Sequence, residues 1–178
     1  MKKDEGRLVA DYIAGDDSAV AILIDLNLKT IFNFAHRLTG NSEDAEDVAQ
    51  ETFLKMWRNL KKYRRGENFK AWLFTIARNT AIDLMRKRKS LAFSIFENDE
   101  GGNELTESLI DIEPLPDEIF AKAAEKGWLI NTLDKLSPKH QEVLILHYNE
   151  NFTFDEIGGI LGKSLNTAKS RHRRALIL

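Results

Sequence analysis

The sequence contains no cysteine, and this absence excludes disulfide bonds, thiolate metal sites and a cysteine nucleophile. Only three prolines and ten glycines occur among the 178 residues, so little in the composition would interrupt helices. No apolar run reaches the roughly 18 residues that cross a bilayer, and the N-terminal segment gathers acids too early for a signal peptide. We therefore expect a soluble, cytoplasmic protein whose 43% apolar residues suffice for a buried core.

The formal net charge of −2 conceals a strong separation of charge along the chain. Residues 61–89 contain ten cations and two acids, residues 97–125 contain ten acids and one cation, and residues 163–174 contain five cations and no acid. A single charged run is usually a solvated face. Two basic runs that each coincide with a predicted helix favour two polyanion-binding surfaces, separated by an acidic connector.

Apolar residues recur at helical spacing through the first half of the chain. The spacing predicts helices over 7–38, interrupted near Asn27. The stretch "TGNSEDAEDVAQ" combines a glycine stop, capping residues and early acids, so it predicts the start of a helix that ends near Leu60. A further helix is predicted over 69–88.

The helical periodicity is lost between Ser90 and Pro116, where the sequence is acidic and contains Gly-Gly and two prolines. A second helical unit follows, and its first helix is predicted over 117–136. No alternating strand pattern competes with the helices. We predict an all-α fold of two helical domains, 1–90 and 117–178, joined by a flexible acidic linker at 91–116.

Local signals in the second unit predict where its helices begin and end. Ser137 followed by Pro138 is a strong helix start. Thr153 and Glu156 form a capping-box pattern, and Gly162 suits a left-handed turn before the last helix.

Two short helices across a glycine turn, the second one cationic, are typical of a helix-turn-helix DNA reader. Gly158 is small where the two helices would approach closely, and Ser164 can cap the second. We expect one face of that last helix to read bases, through Asn166, Lys169, Ser170 and Arg173. Three further cations would neutralise phosphates, namely Lys163, Arg171 and Arg174.

The stretch "LKKYRRGENFKAWLF" mixes cations with aromatic residues, as surfaces that hold single-stranded nucleic acid do. We expect Tyr63 to be exposed among the cations and the amide of Asn68 to read the edge of a flipped base. Arg78 and Asn79 on the following helix would contact phosphates.

Two pairs of stretches resemble the extracytoplasmic-function group of bacterial sigma factors, within the sigma-70 family. "TGNSEDAEDVAQETFLKMWRNL" followed by "FKAWLFTIARNTAIDLMRKR" is similar to sigma region 2. "LSPKHQEVLILHY" followed by "FTFDEIGGILGKSLNTAKSRHRRA" is similar to region 4. The resemblance implies an alternative sigma factor, which is not an enzyme, and which directs core RNA polymerase to promoters and promotes strand opening.

The resemblance also implies roles for individual residues. The helix that meets the largest catalytic subunits of core RNA polymerase would use Asp44, Asp47, Gln50, Glu51, Phe53, Leu54 and Trp57. The promoter −10 element would meet Lys61, Lys62, Tyr63, Arg64, Arg65, Asn68, Arg78 and Asn79. The −35 element would meet Lys163, Ser164, Asn166, Lys169, Ser170, Arg171, Arg173 and Arg174. An anti-sigma factor is an implied further partner and could hold the protein at the inner membrane. No cofactor, metal or small-molecule substrate is implied.

The chain departs from the resemblance at His172, where family members usually carry an aliphatic residue, and at Ala168, where they carry valine. Two other function classes stay open. A stand-alone helix-turn-helix regulator would bind duplex DNA tightly without polymerase. A hydrolase is disfavoured because no Ser/His/Asp or metal-ligand pattern occurs, and the four histidines show no pairing: His36, His140, His147 and His172.

Overall fold

A computed structural model of the chain describes residues 5–64, 66, 68–93 and 136–177, with residues 89–93 described by their backbone alone. The chain divides into two compact units, Met1–Asn98 and Asp99–Leu178. The described ranges of both units contain helices and turns and no strand, which confirms the predicted all-α fold. The predicted helix over 117–136 lies outside the described residues except at Leu136, and so does the predicted linker beyond Phe93.

The N-terminal unit contains four described helices. They are α1 (Glu5–Ile13), α2 (Ser18–Thr39), α3 (Ser42–Asn59) and α4 (Phe69–Phe93). A 3-10 turn at Leu60–Lys62 follows α3. Helix α4 is thus longer than predicted.

The interruption predicted near Asn27 is wrong, because α2 runs through this position without a break. The buried Asn27 side chain donates its amide N–H groups to the Leu23 carbonyl at 3.0 Å and to the Glu5 carboxylate at 2.9 Å. Asn is a weak helix former because its side chain competes for backbone groups. Here that side chain is satisfied within the helix and also joins α2 to α1.

The turn between α2 and α3 follows the local signals of the sequence. Gly40 ends α2 in the left-handed region with φ 79°. The Asn41 side chain then accepts a hydrogen bond from the Asp44 backbone N–H at 2.8 Å, so Asn41 caps α3. The core that this turn brings together contains small residues from three helices, Ala35, Ala45, Val48 and Ala81, which let α2, α3 and α4 pack closely.

Helix α2 is the one described helix that is long and apolar enough, by length and composition, to cross a membrane. This contrasts with the sequence-based expectation that no segment would qualify. In this structure α2 packs against α1, α3 and α4. Its buried apolar residues therefore belong to the core of the N-terminal unit, and the exposed Leu28 contributes to the groove described below.

The described part of the C-terminal unit contains three helices. Helix α5 (Pro138–Leu144) continues into a π-helical turn (Ile145–Asn149), and α6 (Phe154–Leu161) and α7 (Leu165–Ile177) follow. Helix α5 starts where predicted, but no side-chain cap bonds its backbone, since the Ser137 hydroxyl bonds the His140 ring instead, at 3.1 Å.

Both boundaries of α6 and the start of α7 agree with the predictions. Thr153 and Glu156 form the reciprocal capping box, and Gly162 ends α6 in the left-handed region with φ 62°. The Ser164 hydroxyl accepts a hydrogen bond from the Thr167 backbone N–H at 3.1 Å and so caps α7. A Cβ at Gly158 would lie 3.0 Å from the Lys163 carbonyl oxygen, so a larger residue where α6 meets the turn would require the turn to shift.

Candidate functional sites

Helices α2 and α3 form a helical hairpin with an apolar groove of about 540 Å³ along one side. We name it the α2–α3 groove. Its residues recur mostly every three or four positions on each helix, so they form two facing stripes. Helix α2 contributes Val20, Ile24, Leu28 and Phe32, and α3 contributes Glu46, Ala49, Gln50, Phe53, Leu54 and Trp57.

Four of the residues predicted to bind core polymerase line this groove, namely Gln50, Phe53, Leu54 and Trp57. Phe53 is buried between the helices, whereas the Leu54 and Trp57 side chains are exposed. Large apolar side chains that stay exposed and contiguous mark a surface that binds a partner.

The other three residues of this predicted set lie elsewhere. Asp47 is exposed, and Glu51 forms a surface ion pair with Lys55 at 3.8 Å. Asp44, in contrast, points into the protein. It accepts a 2.7 Å hydrogen bond from the Asn41 amide and pairs with the Arg88 guanidinium. Its buried position does not favour the predicted contact with polymerase, and it joins the start of α3 to the C-terminal part of α4 instead.

Trp57 is 51% exposed, yet its orientation is held by a contact outside the groove. Its indole N–H donates a hydrogen bond to the Tyr12 hydroxyl at 3.1 Å. Tyr12 lies on α1, so α1 takes part in shaping the exposed face of α3. Sequence spacing gave no sign of this pairing, because 45 residues separate the two side chains.

The prediction that Tyr63 is exposed is wrong. Tyr63 is only 9% exposed, and its ring lies 5.7 Å from Phe69 and 5.4 Å from Trp72, centroid to centroid. The 3-10 turn at Leu60–Lys62 turns the chain, and the Tyr63 ring packs on the first turn of α4. Aromatic rings prefer such tilted contacts, so Tyr63 belongs to the core and is not an exposed platform for a base.

The described residues among the others predicted for the −10 element differ in exposure. Lys61, Lys62, Arg64 and Asn79 are exposed, Arg78 is half-buried on α4, and Arg65 lies outside the described residues. The Asn68 side-chain oxygen accepts from the Ala71 backbone N–H at 3.3 Å. The side-chain oxygen of Asn68 is therefore engaged at the start of α4, while its side chain is exposed.

Helix α7 carries the residues predicted for the −35 element. Lys169 and Asn166 are exposed on it, as are Lys163 and Ser164 in the turn before it. The other four predicted residues are half-buried, namely Ser170, Arg171, Arg173 and Arg174. The opposite face of α7 is buried in the unit through Ala168, His172, Ala175 and Leu176. Helix α7 is thus amphipathic, with a cationic outer face.

The inner face of α7 meets an aromatic cluster that the sequence analysis missed when it treated the histidines as unrelated. We name it the His172 cluster; its members are His147, Tyr148, Phe154 and His172. The Nε2 atom of His172 and the Tyr148 hydroxyl share a hydrogen bond of 3.1 Å. The spacing of His172, four residues after the apolar Ala168 on the same helix, was the sequence signal that could have placed its ring inside the unit. In the described residues no three His, Asp or Glu side chains converge as a metal site would require.

Burial lowers the pKa of His172 to about 4, and the neighbouring His147 contributes in the same direction. Burial also raises the pKa of Tyr148. Both shifts favour the uncharged forms, so at neutral pH the hydrogen bond between these two side chains joins two neutral groups.

Comparison with known proteins agrees with this division of the chain. The profile described as Sigma-70 region 2 matches residues 23–91, and the one described as Sigma-70, region 4 matches residues 132–176. Helix α2 from residue 23 onward, with α3 and α4, thus falls in the first match, and the helix-turn-helix falls in the second. Helix α1 precedes both.

Similar curated proteins carry sigma-factor names. The chain is 30% identical over 163 residues to the ECF RNA polymerase sigma factor SigE of Mycolicibacterium smegmatis, covering 90% of this chain and 61% of SigE. It is 31% identical over 164 residues to the ECF RNA polymerase sigma factor SigL of Mycobacterium tuberculosis, covering 92% of this chain and 88% of SigL.

A solved structure with a similar fold is the sigma factor RpoE of Bartonella quintana in complex with the anti-sigma factor NepR. The TM-score is 0.62 with 28% sequence identity, over 87% of this chain and 90% of RpoE. Together with the two profile matches, these likenesses establish that the chain belongs to the sigma-70 family of RNA polymerase sigma factors, in its extracytoplasmic-function group.

Proposed function

We propose that this chain is an alternative sigma factor that binds core RNA polymerase, recognises promoter −35 and −10 elements and promotes strand opening. One observation carries this proposal: a single chain combines an apolar groove on a region 2 match with a cationic recognition helix on a region 4 match. The first surface suits a protein partner, and the second suits a polyanion.

The α2–α3 groove supports docking on core polymerase. Docking would bury the exposed apolar surface of Leu54 and Trp57. Burial of apolar surface contributes roughly 25 cal/mol per Å² to the binding free energy. Interface energy concentrates in a few large side chains of this kind. Asp47 lies exposed on the same helix and would add long-range attraction to a basic partner surface.

The two cationic regions support contact with promoter DNA. Lys61, Lys62 and Arg64 are exposed between α3 and α4, where they could hold the phosphates of an opened −10 element. Asn166 and Lys169 are exposed on α7, where they could reach base edges of the −35 element in the major groove. We propose that the N-terminal unit serves region 2 and the C-terminal unit serves region 4.

An anti-sigma factor is a further proposed partner. RpoE, which is 28% identical to this chain, was solved in complex with the anti-sigma factor NepR. We infer that a partner of this class competes with polymerase for the exposed surface of the chain in the cytoplasm.

Run-off transcription with core polymerase tests the proposal. We expect transcripts from a randomised promoter library only when the chain is added, and sequencing of the active templates should give preferred −35 and −10 elements. Core polymerase without the chain is the control. Absence of any chain-dependent transcript, with core polymerase active on a nicked template, would contradict the proposal.

The same materials distinguish the alternative of a stand-alone regulator. Each unit offers a small DNA interface, so the chain by itself should bind duplex promoter DNA weakly and gain affinity when core polymerase is present. A sharp complex on duplex DNA without polymerase would favour the regulator. The matches to both sigma regions argue against that alternative.

Arg173→Ala tests the reading face of α7. If Arg173 contacts a base, the substitution should weaken binding to the selected −35 element by about 1–3 kcal/mol and reduce discrimination at one base pair. Binding of the holoenzyme to duplexes with each −35 substitution measures both effects. An unchanged base preference would assign Arg173 to a phosphate or to no contact.

A further inference from the structure

His172 is a polar residue at a position where the recognition helix would be expected to bury an apolar one. It is only 3% exposed and lies on the inner face of α7, next in sequence to Arg173. Consecutive residues on a helix point about 100° apart, so whatever holds His172 also sets the direction of the Arg173 and Lys169 side chains.

The His172 cluster holds this ring from two other parts of the unit. The His172 ring lies 5.1 Å from His147 and 5.6 Å from Tyr148, both in the π-helical turn, and 5.0 Å from Phe154 in the first turn of α6. His147 stacks on Phe154 at 4.6 Å. The cluster therefore joins the end of α5, the start of α6 and the middle of α7.

Two directional bonds give the cluster a defined geometry that apolar packing alone would not. The His147 Nδ1–H donates to the Phe152 carbonyl oxygen at 3.0 Å, which fixes the His147 ring. The Nε2 atom of His172 bonds the Tyr148 hydroxyl at 3.1 Å. A buried ring nitrogen without a partner is costly, so α7 cannot rotate away from Tyr148 without losing this bond.

The N-terminal end of α7 is held separately by the close approach of Gly158 to the turn at Lys163–Leu165. Ala168, Ala175 and Leu176 pack the same face of α7 into the unit, but apolar contacts are not directional. Recognition groups lose their function when displaced by about 0.5 Å or 10–20°. The bond between His172 and Tyr148 adds a directional constraint on the rotation of α7.

We propose that His172, acting through Tyr148, is a positioning residue that sets the rotation of α7 and thereby the base discrimination of the chain at the −35 element. The inference rests on the proposed function, since it assigns α7 to the −35 duplex. Neither side chain needs to touch DNA.

Four variants of the full chain, each assembled with core polymerase, test the proposal. Tyr148→Phe keeps the ring and removes the hydroxyl, and His172→Leu keeps a similar volume and removes Nε2. The third is the double variant. The fourth, His172→Gln, places an amide near the position of Nε2 and should restore the bond.

The measurement is the ratio of holoenzyme affinities for the selected −35 element and for single base-pair substitutions of it. A wrong base pair should weaken wild-type binding roughly 5- to 150-fold. In Tyr148→Phe and in His172→Leu, we expect the affinities for the selected and the substituted −35 elements to differ by no more than about threefold. The double variant should show no further fall in this ratio. His172→Gln should stay close to wild type.

Discrimination at the −10 element is the internal control, because the N-terminal unit is proposed to read it. It should be unchanged in all four variants. A merely structural role would lower the folded fraction and weaken binding to every duplex alike, which leaves the −35 ratio unchanged.

Wild-type −35 ratios in Tyr148→Phe and His172→Leu, or losses that add in the double variant, would overturn the inference and leave the proposed function standing. A wild-type holoenzyme that transcribes without any −35 preference would overturn both the assignment of α7 and the inference.

Discussion

The α2–α3 groove in the N-terminal unit and the outer face of α7 in the C-terminal unit have opposite chemistry. The groove is apolar and is lined by one acid, Glu46, and no cation. In the C-terminal unit the exposed feature is the outer face of α7, where Lys163–Arg174 contains five cations and no acid. The groove suits desolvation against a protein, and α7 suits the replacement of counterions on a polyanion.

The interiors of the two units differ as well. Close packing of small residues joins α2, α3 and α4 around Ala35 and Ala81. The C-terminal unit places polar aromatic groups behind its functional helix, the buried His172 and the half-buried Tyr148. The buried polar groups of the N-terminal unit, Asn27 and Asp44, bond between helices instead: Asn27 joins α2 to α1, and Asp44 joins α3 to α4. The comparison indicates that the directional bond of the second unit fixes the angle of its functional helix.

The largest expected effect tests whether the groove is the protein-binding surface. Leu28 lines the groove and is 48% exposed, while Leu26 on the same helix is 50% exposed and does not line it. Leu28→Asp should weaken core-polymerase binding by about 2–4 kcal/mol, because a carboxylate would have to be desolvated at a buried interface. The dissociation constant for core polymerase measures the effect.

Leu26→Asp is the matched control and should bind core polymerase like the wild type. Equal losses in both variants would mean that general polarity of α2, and not the groove, determines binding. Neither substitution should change stability much, since both positions are half exposed.

The next effect concerns the C-terminal interior and depends on pH. The pKa of His172 is about 4 in the folded chain, below its ordinary value of 6.5, so the unfolded chain takes up this proton first as pH falls. The contribution of His172 to the free energy of unfolding is complete above pH 6.5, declines between pH 6.5 and about 4, and is lost below. The total decline is about 3 kcal/mol.

Urea denaturation across this interval, for the wild type and for His172→Leu, measures the contribution. Carboxylates titrate in part of the same range, so the difference between the two proteins isolates the histidine. Parallel stability curves would show that His172 is not buried in its neutral form.

A smaller effect tests the close approach of α6 to the turn before α7. A Cβ at Gly158 would meet the Lys163 carbonyl oxygen at 3.0 Å and the Leu165 backbone nitrogen at 3.3 Å, so Gly158→Ala should destabilise the chain by about 1–3 kcal/mol. Gly159 is exposed, and its Cβ would meet nothing within 4 Å. Gly159→Ala should therefore stabilise the chain by up to about 1 kcal/mol.

Thermal unfolding of both variants measures these changes in stability, which should be opposite in sign. A neutral Gly158→Ala would mean that the turn at Lys163–Leu165 can move, and the helix-turn-helix geometry would then be less fixed than its contacts indicate.

Local signals in the sequence were sufficient for the boundary between α2 and α3 and for the start and end of α6. The cap at Asn41, the capping box at Thr153 and the left-handed turn at Gly162 each involve residues within a few positions of one another, so the pattern contains the whole interaction. Apolar residues at helical spacing likewise predicted α2 and α3 as helices. The roles of Gln50 and Trp57 came from the family resemblance alone, and no periodicity predicted the exposed groove that they line.

Residues whose burial depends on distant partners could not be predicted in this way. Asp44 is turned inward by Arg88, and Tyr63 by the start of α4, although both are surrounded in sequence by charged residues. The His172 cluster also depends on the π-helical turn at Ile145–Asn149, and the helical spacing of apolar residues does not distinguish such a turn from an α-helix. Charge in the sequence is thus a weaker guide to exposure than apolar spacing is to burial.

The smallest expected effect concerns the contact between α1 and the groove. Tyr12→Phe removes the hydroxyl that accepts the Trp57 indole N–H, a bond of 3.1 Å at the surface. Water replaces such a partner readily, so stability should change by less than about 0.5 kcal/mol. Core-polymerase binding should weaken by about 0.5–1 kcal/mol, because the exposed indole loses its fixed orientation before it docks.

In a Trp57→Phe background, which has no indole N–H to orient, the same substitution should have no effect on binding. An equal loss in both backgrounds would mean that Tyr12 contacts the polymerase directly and does not act through Trp57.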